Sequence, residues 1–298
     1  MEPSETQRAV EAARATASEL GLQVHDAIVV HNSNRVAVRL VPCDVLARVA
    51  PPARETAVAE LEVEVARRLA DSGSPVAEPA PRVQPGVYVH GGFSVTLWTY
   101  YEPLPSSELS PADYAQALAR LHAGLRQLDL RTPHVTDRVA DAQKLIADRE
   151  HTPGLPDADR ELLSNALCRL SPAISGRGRG DQMLHGEPHP ANLLRTRKGL
   201  LFIDFERCCR GPVEFDIAHG LLSDWGRPFT AEEVCEHYPA SDQDRIEQCR
   251  ILIWAMITTW RWDRDDELPN GRYWALEGLN QLRQALVRYG LDASGSGL

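Results

Sequence analysis

The hydrophobic pattern of the chain changes its period at the proline-rich segment 103–105, and this change limits the choice of fold more than any other property of the sequence. Before this segment, apolar residues alternate or run as they do in β-strands. Residues 24–49, interrupted by turn residues at 31–34 and 42–44, predict a meander of three strands. Residues 87–101 predict a hairpin that turns at two adjacent glycines, so we expect one small sheet.

Helical spacing of apolar residues predicts two helices in the same part of the chain, at residues 3–20 and 55–70. After residue 105 the pattern is helical, beginning with a segment that Ser110-Pro111 caps. This second part is expected to be mainly helical, interrupted only by an apolar, strand-like patch at 200–203. Its further helical patterns cover residues 136–150, 158–171, 231–237, 242–262 and 271–289.

The composition of the chain disfavours several classes of function. The 298 residues carry a formal net charge of −10, from 32 Lys and Arg against 42 Asp and Glu, which disfavours nucleic acid as a partner. The longest uninterrupted apolar run, Ile251–Ile257, is far shorter than the ~20 residues of a membrane-spanning helix. The amino end lacks the apolar core of a signal peptide and the six cysteines show no paired spacing, so we expect a cytoplasmic protein with reduced thiols.

Residues 183–222 contain the side chains that predict chemistry. A turn-rich loop holds Glu187 and Asn192, and a short apolar strand then delivers Asp204 at its end. Carboxylate and amide oxygens are ligands that Mg²⁺ prefers, and phosphoryl transfer needs an aligned hydroxyl group and neutralised phosphate charge. The three side chains suffice for that chemistry, although Asn and Asp are also common in ordinary turns.

This stretch resembles the aminoglycoside phosphotransferase and choline kinase family, which shares the protein kinase fold. HGEPHPAN at 185–192, here termed the catalytic loop, is similar to the family's HGDxxxxN, and IDFE at 203–206 is similar to its metal-binding segment. GPVEFDIAHG at 211–220 is similar to the signature that follows in the family. The motifs occur in order and at the correct spacing, and the resemblance extends over about residues 20–290.

The resemblance implies an α+β, bilobal, protein-kinase-like fold, with a small antiparallel-sheet lobe that has one main helix and a larger, mostly helical lobe. Residues 1–98 would form the nucleotide-binding lobe, 99–105 the connector, and 106–298 the helical lobe with the catalytic loop and the substrate site. The implied reaction transfers the γ-phosphoryl group of ATP or GTP, with Mg²⁺ as cofactor, to a hydroxyl group of an antibiotic. An aminoglycoside or another secondary metabolite would be the acceptor, and the modification would give resistance.

The resemblance also implies roles for single residues. Glu187 would be the base or the orienting carboxylate for the acceptor hydroxyl group, and Asn192 and Asp204 would hold Mg²⁺. His185 and Asp216 would support the catalytic loop. The family normally has Asp at the first acidic position, so Glu187 is a departure that moves the carboxylate outward by roughly 1.5 Å. An active enzyme is expected because Glu retains the charge and both metal ligands are present.

The expected nucleotide site lies in the first part of the chain. Arg48 stands where the family usually has Lys, and its acidic partner is expected to be Glu62, with Glu60 and Glu64 left as alternatives. The loop with Ser33 has the position of a phosphate-covering loop but lacks the GxGxxG pattern. Backbone groups of Thr99 and Tyr101 are expected to meet the purine, with Trp98 as the bulky residue behind it.

The acceptor site is less defined. His189 would contact a substrate phosphate or pack on its neighbouring prolines. An acidic cluster of Asp263, Asp266 and Glu267, among tryptophans, would receive a cationic substrate or form a solvated helix end. The net charge agrees with a cationic, hydroxylated small molecule without requiring one.

Two other hypotheses stay open. A metabolic kinase for choline, homoserine or a sugar would keep the chemistry and change the acceptor. A nucleotide-binding pseudokinase would fit the departures at Glu187 and Arg48. The choice between ATP and GTP, and between a monomer and a homodimer, is also open.

Overall fold

The computed structural model describes every residue except 34, 52–55, 105–108, 176–179, 222–228, 240, 267 and 291–298. In this part of the chain the helices are α1 (Pro3–Glu19), α2 (Thr56–Asp71), α3 (Pro111–Leu125), α4 (Val135–Ala147), α5 (Asp157–Leu170), α6 (Val213–His219), α7 (Ala231–Cys235), α8 (Gln243–Trp260) and α9 (Gly271–Arg288). The strands are β1 (Asp26–Asn32), β2 (Val36–Val41), β3 (Val45–Ala50), β4 (Val87–His90), β5 (Phe93–Thr99), β6 (Gln182–Leu184), β7 (Leu193–Thr196), β8 (Gly199–Phe202) and β9 (Cys209–Gly211).

The chain divides into two compact units. The first unit contains three separate stretches, Met1–Leu109, Ala123–Leu128 and Ala191–Arg207. The second unit contains Ser110–His122, Asp129–Pro190 and Cys208–Leu298. The IDFE segment therefore belongs to the first unit together with the sheet, although it lies far along the sequence.

An antiparallel sheet with the strand order β1-β2-β3-β5-β4 forms the base of the first unit. Helix α1 packs on this sheet through alanines, of which Ala9, Ala13 and Ala17 are fully buried. The meander, the hairpin and both helices predicted for this region are confirmed. The expectation of one main helix is corrected, because α1 with 17 residues and α2 with 16 are of similar length.

The turn between β4 and β5 requires its two glycines. Gly91 and Gly92 have φ values of +57° and +84°, a region that side chains with a Cβ atom rarely adopt. Two successive residues with positive φ are typical of tight hairpin turns, whose twist matches that of the strands. The adjacent glycines therefore fix the register in which β4 pairs with β5.

A second hairpin in the first unit carries the IDFE segment. The predicted patch at 200–203 forms β8, and it pairs with β7, which the sequence analysis did not predict. The Phe202 amide donates to the Pro75 carbonyl at 2.8 Å, and the Phe202 carbonyl accepts from the Ala77 amide at 3.0 Å. These backbone bonds fix the end of β8, so the position of Asp204 two residues later is set by the fold of the first unit.

The second unit is mainly helical, as predicted. Its long helix α8 is central, because the six residues from Ile251 to Met256 are all buried. The expectation that only one patch interrupts the helices is wrong, since the short strands β6 and β9 pair with each other here. Helix α6 was not predicted either, and its seven residues are too few to establish a helical period.

All six cysteines are free thiols. Among the described helices, none combines the length and the apolar character that crossing a membrane requires.

Candidate active site

Asp204 has an unusual backbone conformation. Its φ is +69°, in the left-handed region that few residues other than glycine adopt, although Asp and Asn tolerate it best. The residue lies two positions after the end of β8, and its side chain is 37% exposed. Strained backbone positions concentrate at functional sites, so this conformation supports a functional role for the carboxylate.

The hairpin β7–β8 brings the segments of Asn192 and Asp204 together. Asn192 ends a short 3-10 turn, Pro190–Asn192, immediately before β7. Its carbonyl accepts the Ile203 amide at 3.1 Å, beside the pairing of Leu193 with Phe202. One amide and one carboxylate side chain therefore stand at the same end of one hairpin.

Arg48 and Glu62 form a buried ion pair. Strand β3 carries Arg48 between Ala37 of β2 and Thr96 of β5, and the guanidinium bonds Oε1 of Glu62, which is fully buried on α2. Nη2 of Arg48 also lies 3.5 Å from Oδ1 of Asp204. Burial, the largest influence, lowers the pKa of Arg48, but the two carboxylates outweigh it, so the pKa is raised and the guanidinium stays charged.

The structure separates the three glutamates that were candidates for this pairing. Glu60 is exposed, and Glu64 bonds the guanidinium groups of Arg67 and Arg68 on its own helix. Glu62 alone of the three is fully buried, and a buried carboxylate requires a charged or hydrogen-bonding partner.

Two further charged residues join this cluster, and the sequence analysis gave them no role. Nη1 of Arg35 lies 3.0 Å from Oε2 of Glu62, and Nη2 of Arg35 contacts Oε1 of Glu206. Glu206 could have been noticed because it is the last residue of IDFE. Arg35 gave no signal, since its guanidinium meets α2 and the segment after β8 only in the folded chain.

The loop before β2 is closed by its own backbone. The Ser33 amide donates to the Arg35 carbonyl at 3.0 Å. The Ser33 carbonyl accepts from the terminal ammonium of Met1 at 2.9 Å. Asn34, of the same predicted loop, lies outside the described residues.

The predicted purine contacts lie at and after the end of β5. Trp98 is buried, with Nε1–H donating to Thr96 Oγ1 at 2.9 Å, and Arg48 lies 6.0 Å from its ring centroid. The Thr99 amide donates to the Glu78 carbonyl at 2.9 Å, so that amide is already bonded. The Tyr101 hydroxyl accepts from the Glu78 amide at 3.3 Å.

In the second unit, Asp216 of α6 bonds the start of the catalytic loop. Its two carboxylate oxygens accept the amides of His185 at 2.8 Å and Gly186 at 2.9 Å. His122 Nε2–H donates to the same carboxylate at 3.0 Å, and Nδ1 of His122 shares a hydrogen bond of 2.6 Å with the Tyr238 hydroxyl group. Burial is the largest influence and raises the pKa of Asp216, but the bond from His122 and nearby histidine charges outweigh it, so the pKa is lowered.

Other bonds hold the middle of the catalytic loop. The Glu187 amide donates to His185 Nδ1 at 3.3 Å, and the Glu187 residue is half-buried. The hydroxyl of the buried Tyr114 donates to the Pro188 carbonyl at 3.0 Å. Arg138 donates to the Gly186 carbonyl at 3.3 Å. His189, predicted at the substrate, is also half-buried in this loop.

The acidic residues predicted to receive the acceptor have different environments in the structure. Asp266 is nearly buried and accepts from Arg261 at 2.6 Å, an internal ion pair. Asp263 is half-buried, and its side chain accepts the Asp265 amide at 3.1 Å. Glu267 lies outside the described residues.

The donor set of the first unit fits a hard divalent cation. Carboxylate oxygens of Glu62, Asp204 and Glu206 lie within 4.8 Å of one another. Glu62 and Glu206 are bonded to arginines, and Asp204 is the most exposed of the three. With the amide of Asn192, Asp204 offers the oxygen ligands that Mg²⁺ prefers.

Comparisons with known proteins show what the sequence and the fold of this chain resemble. A family model described as "Phosphotransferase enzyme family" matches residues 27–245. No curated protein sequence matches the chain.

Solved structures resemble the chain over nearly its whole length. An amicoumacin kinase, hAmiN, in complex with AMP-PNP and Ca²⁺, has a TM-score of 0.69 at 13% identity, covering 95% of this chain and 96% of its own. The choline kinase LicA from Streptococcus pneumoniae has a TM-score of 0.67 at 16% identity, covering 94% and 99%. The GDP complex of an aminoglycoside 2′-phosphotransferase-IIIa has a TM-score of 0.66 at 15% identity, covering 94% and 99%. These likenesses confirm the predicted α+β, kinase-like fold class.

Proposed function

The chain belongs to the phosphotransferase enzyme family, and from that membership we propose that it transfers the γ-phosphoryl group of ATP or GTP to a hydroxyl group of an antibiotic. An aminoglycoside or another hydroxylated secondary metabolite is the proposed acceptor, and the modification is proposed to give resistance. The observation that carries the proposal is the contact of Arg48 with both Glu62 and Asp204 in a chain of this family.

Asn192 and Asp204 are proposed to hold Mg²⁺. Their side chains supply one amide and one carboxylate oxygen, and nucleotide phosphates usually supply further ligands to this ion. When bound, Mg²⁺ neutralises charge on the transferred and leaving oxygens. The exposed fraction of Asp204 and its fixed backbone support this role.

Arg48 is proposed to neutralise the nucleotide phosphates. The ion pair with the buried Glu62 holds the guanidinium of Arg48 in place. An arginine can bond two phosphate oxygens at once, although its planar guanidinium differs from the compact ammonium of Lys. Ser33 is proposed to lie in the loop that covers the phosphates. At the purine, Thr99 would act through its carbonyl because its amide is bonded to Glu78, together with the backbone of Tyr101 and with Trp98 behind.

Glu187 is proposed to accept a hydrogen bond from the acceptor hydroxyl group and so to aim its oxygen at the γ-phosphorus. Alignment is the main catalytic device in phosphoryl transfer, so the loop that carries this carboxylate must be rigid. The bonds from Asp216 to His185 and Gly186 and from Tyr114 to Pro188 support that requirement.

A screen by mass spectrometry tests the proposal. The protein is incubated with Mg²⁺ and ATP or GTP against a panel of antibiotics and hydroxylated metabolites, and a product heavier by one phosphate is sought. The proposal expects an antibiotic to be phosphorylated, and expression in a sensitive host to raise tolerance to that class. Phosphorylation of a metabolite only, without any gain in tolerance, would contradict it.

A metabolic kinase is the second candidate. The choline kinase LicA resembles the chain in fold to the same degree as the aminoglycoside phosphotransferase, with TM-scores of 0.67 and 0.66. The same panel therefore includes choline, homoserine and sugars, and the preferred acceptor decides between the two candidates.

A further inference from the structure

Arg35 contacts three segments of the first unit. Its backbone carbonyl accepts the Ser33 amide at 3.0 Å, which closes the loop proposed to cover the phosphates. Its guanidinium bonds Glu62 of α2 at 3.0 Å and also contacts Glu206 in the segment after β8. The side chain is only 9% exposed, so these contacts are made in the interior rather than in solvent.

Five charged side chains form a closed arrangement, which we call the charge ring. Four ion pairs connect its members, which alternate in charge in the order Asp204, Arg48, Glu62, Arg35 and Glu206. The backbone closes the ring, because Glu206 lies two positions after Asp204. Each oxygen of Glu62 meets a different arginine, Oε1 with Arg48 and Oε2 with Arg35. Three carboxylates and two guanidinium groups leave a formal charge of −1 in the ring.

We propose that Arg35 is a positioning residue for the nucleotide and metal site. By occupying one oxygen of Glu62, Arg35 limits that carboxylate to a single bond with Arg48, so that Arg48 keeps capacity for phosphates. By holding Glu206, it fixes the segment that carries Asp204. This inference rests on the proposed roles of Arg48 and Asp204.

The charge balance predicts how removal of Arg35 changes nucleotide binding. Without Arg35, Arg48 is the one cation paired with the fully buried Glu62 among the described residues, and a buried carboxylate is costly unless it is paired. Arg48 is then drawn towards Glu62 and away from the phosphates, while Glu206 loses its contact with Arg35 beside Asp204. Loss of Arg35 should therefore weaken binding of a nucleotide–Mg²⁺ complex beyond any loss of stability.

Calorimetry with MgADP and MgGDP, together with thermal unfolding, tests the inference. For the nucleotide that binds better, Arg35→Gln should raise Kd about tenfold or more, because truncating one partner of a buried charge pair leaves the other uncompensated. Arg35→Lys should have an intermediate effect, since a single ammonium keeps the charge but lacks the planar fork. Glu206→Gln should raise Kd as well, and the double variant should lose less than the product of the two single effects.

Arg245→Gln is the matched control. Arg245 forms an ion pair with Glu214 at 3.7 Å and donates to the Ala173 carbonyl at 2.7 Å, and it lies in the second unit. This variant should lower Tm while Kd for the nucleotide changes less than about twofold, because the contacts that Arg245 makes with Glu214 and Ala173 involve no member of the charge ring.

Two outcomes separate the inference from the proposed function. If the wild-type protein binds MgADP or MgGDP but the Arg35 and Glu206 variants resemble Arg245→Gln, with a lower Tm and unchanged Kd, Arg35 is only structural and the inference is wrong. If the wild-type protein binds neither complex, the proposed function fails and the inference fails with it.

Discussion

Asp204 combines a left-handed backbone conformation with a partly exposed carboxylate. A residue whose conformation costs free energy persists where the surrounding structure enforces it. Here the backbone bonds of β8 to Pro75 and Ala77 provide that enforcement. Both properties support the proposed role of this carboxylate in holding Mg²⁺.

Asp204→Ala should abolish Mg²⁺-dependent turnover, because the proposed metal site loses its carboxylate. We expect kcat to fall by about a thousandfold or more, the scale on which electrostatic stabilisation acts in phosphoryl transfer. Steady-state assays over a Mg²⁺ titration measure the effect. Retained turnover at the wild-type Mg²⁺ requirement would refute the assignment.

Glu187→Gln should lower kcat by about 10²-fold or more, since the amide cannot accept a proton from the acceptor hydroxyl group. Glu187→Asp restores the residue usual in the family but shortens the side chain by one methylene group. If this loop is adapted to glutamate, Glu187→Asp should also be slower than the wild type, and KM for the nucleotide should stay constant in both variants. Equal kcat values for all three proteins would exclude a role in aligning the acceptor.

The sequence predicted the contact of Arg48 with Glu62 but not the contacts of Arg35. Glu62 was favoured over two neighbouring glutamates, and it is the one that bonds Arg48. Arg35 was missed because its role depends on two side chains, 27 and 171 positions further along the chain, that folding brings to it. The local sequence pattern around Arg35 contains no information on contacts this far along the chain. A motif of fixed spacing, in contrast, can be recognised from the sequence alone.

Helix α6 is the element on which the catalytic loop rests. Six of its seven residues, from Glu214 to His219, are buried, so every face of this short helix is packed. Its C-cap, Gly220, approaches the ring of Tyr114 so closely that a Cβ atom there would lie 2.5 Å from the ring and its hydroxyl. Tyr114 in turn donates to the Pro188 carbonyl, which links this contact to the loop.

Gly220→Ala should destabilise the protein by about 1–3 kcal/mol, the usual cost of overpacking. It should also lower kcat, because a displaced Tyr114 no longer holds Pro188. Gly86→Ala is the control, since a Cβ atom there has no neighbour within 4 Å. Urea unfolding and steady-state kinetics of the two variants make the comparison, and equal stability of both would contradict the packing argument.

His219 gives α6 a sensitivity to acid. Neither ring nitrogen has a hydrogen-bond partner among the described residues, and burial lowers the pKa of His219 from 6.5 to about 3. Between these values the unfolded chain binds more protons than the folded chain, so stability is complete above pH 6.5 and is lost as the pH falls towards 3.

His219→Phe should remove this dependence. Between pH 7.5 and pH 5 the wild type should lose about 2 kcal/mol more of its unfolding free energy than the variant does. Phe suits a site whose neighbour is the Phe215 ring, 5.2 Å away. Urea unfolding at the two pH values measures the difference, and parallel losses in both proteins would show that His219 is not the titrating group.

Elements with several turns or alternations were predictable, whereas four short elements, α6, β6, β7 and β9, were not. The helices α4, α5, α8 and α9 occupy nearly the predicted ranges. Strands β6 and β9, of three residues each, exist because they pair with each other across 24 intervening residues. Such pairing is decided by the tertiary fold and leaves no periodic signal.

The whole molecule carries a net charge of −10, which creates a long-range field for charged acceptors. If the acceptor is cationic, kcat/KM should fall as NaCl rises from about 0.02 to 0.5 M, because the Debye length shrinks below ~10 Å beyond 0.1 M. A neutral acceptor phosphorylated by the same protein is the control and should show little dependence. A cationic acceptor with no salt dependence would rule out steering by the net charge.

The first unit takes residues 191–207 from late in the sequence, and this order has a consequence for biosynthesis. The five-stranded sheet leaves the ribosome early, but 99 further residues, 100–198, are translated before β8 begins, and the IDFE segment comes after β8. Until then Arg35 lacks Glu206, and the Phe202 backbone cannot close on Pro75 and Ala77. During translation the amino-terminal part of the first unit therefore stays incomplete until residues 191–207 have been synthesised.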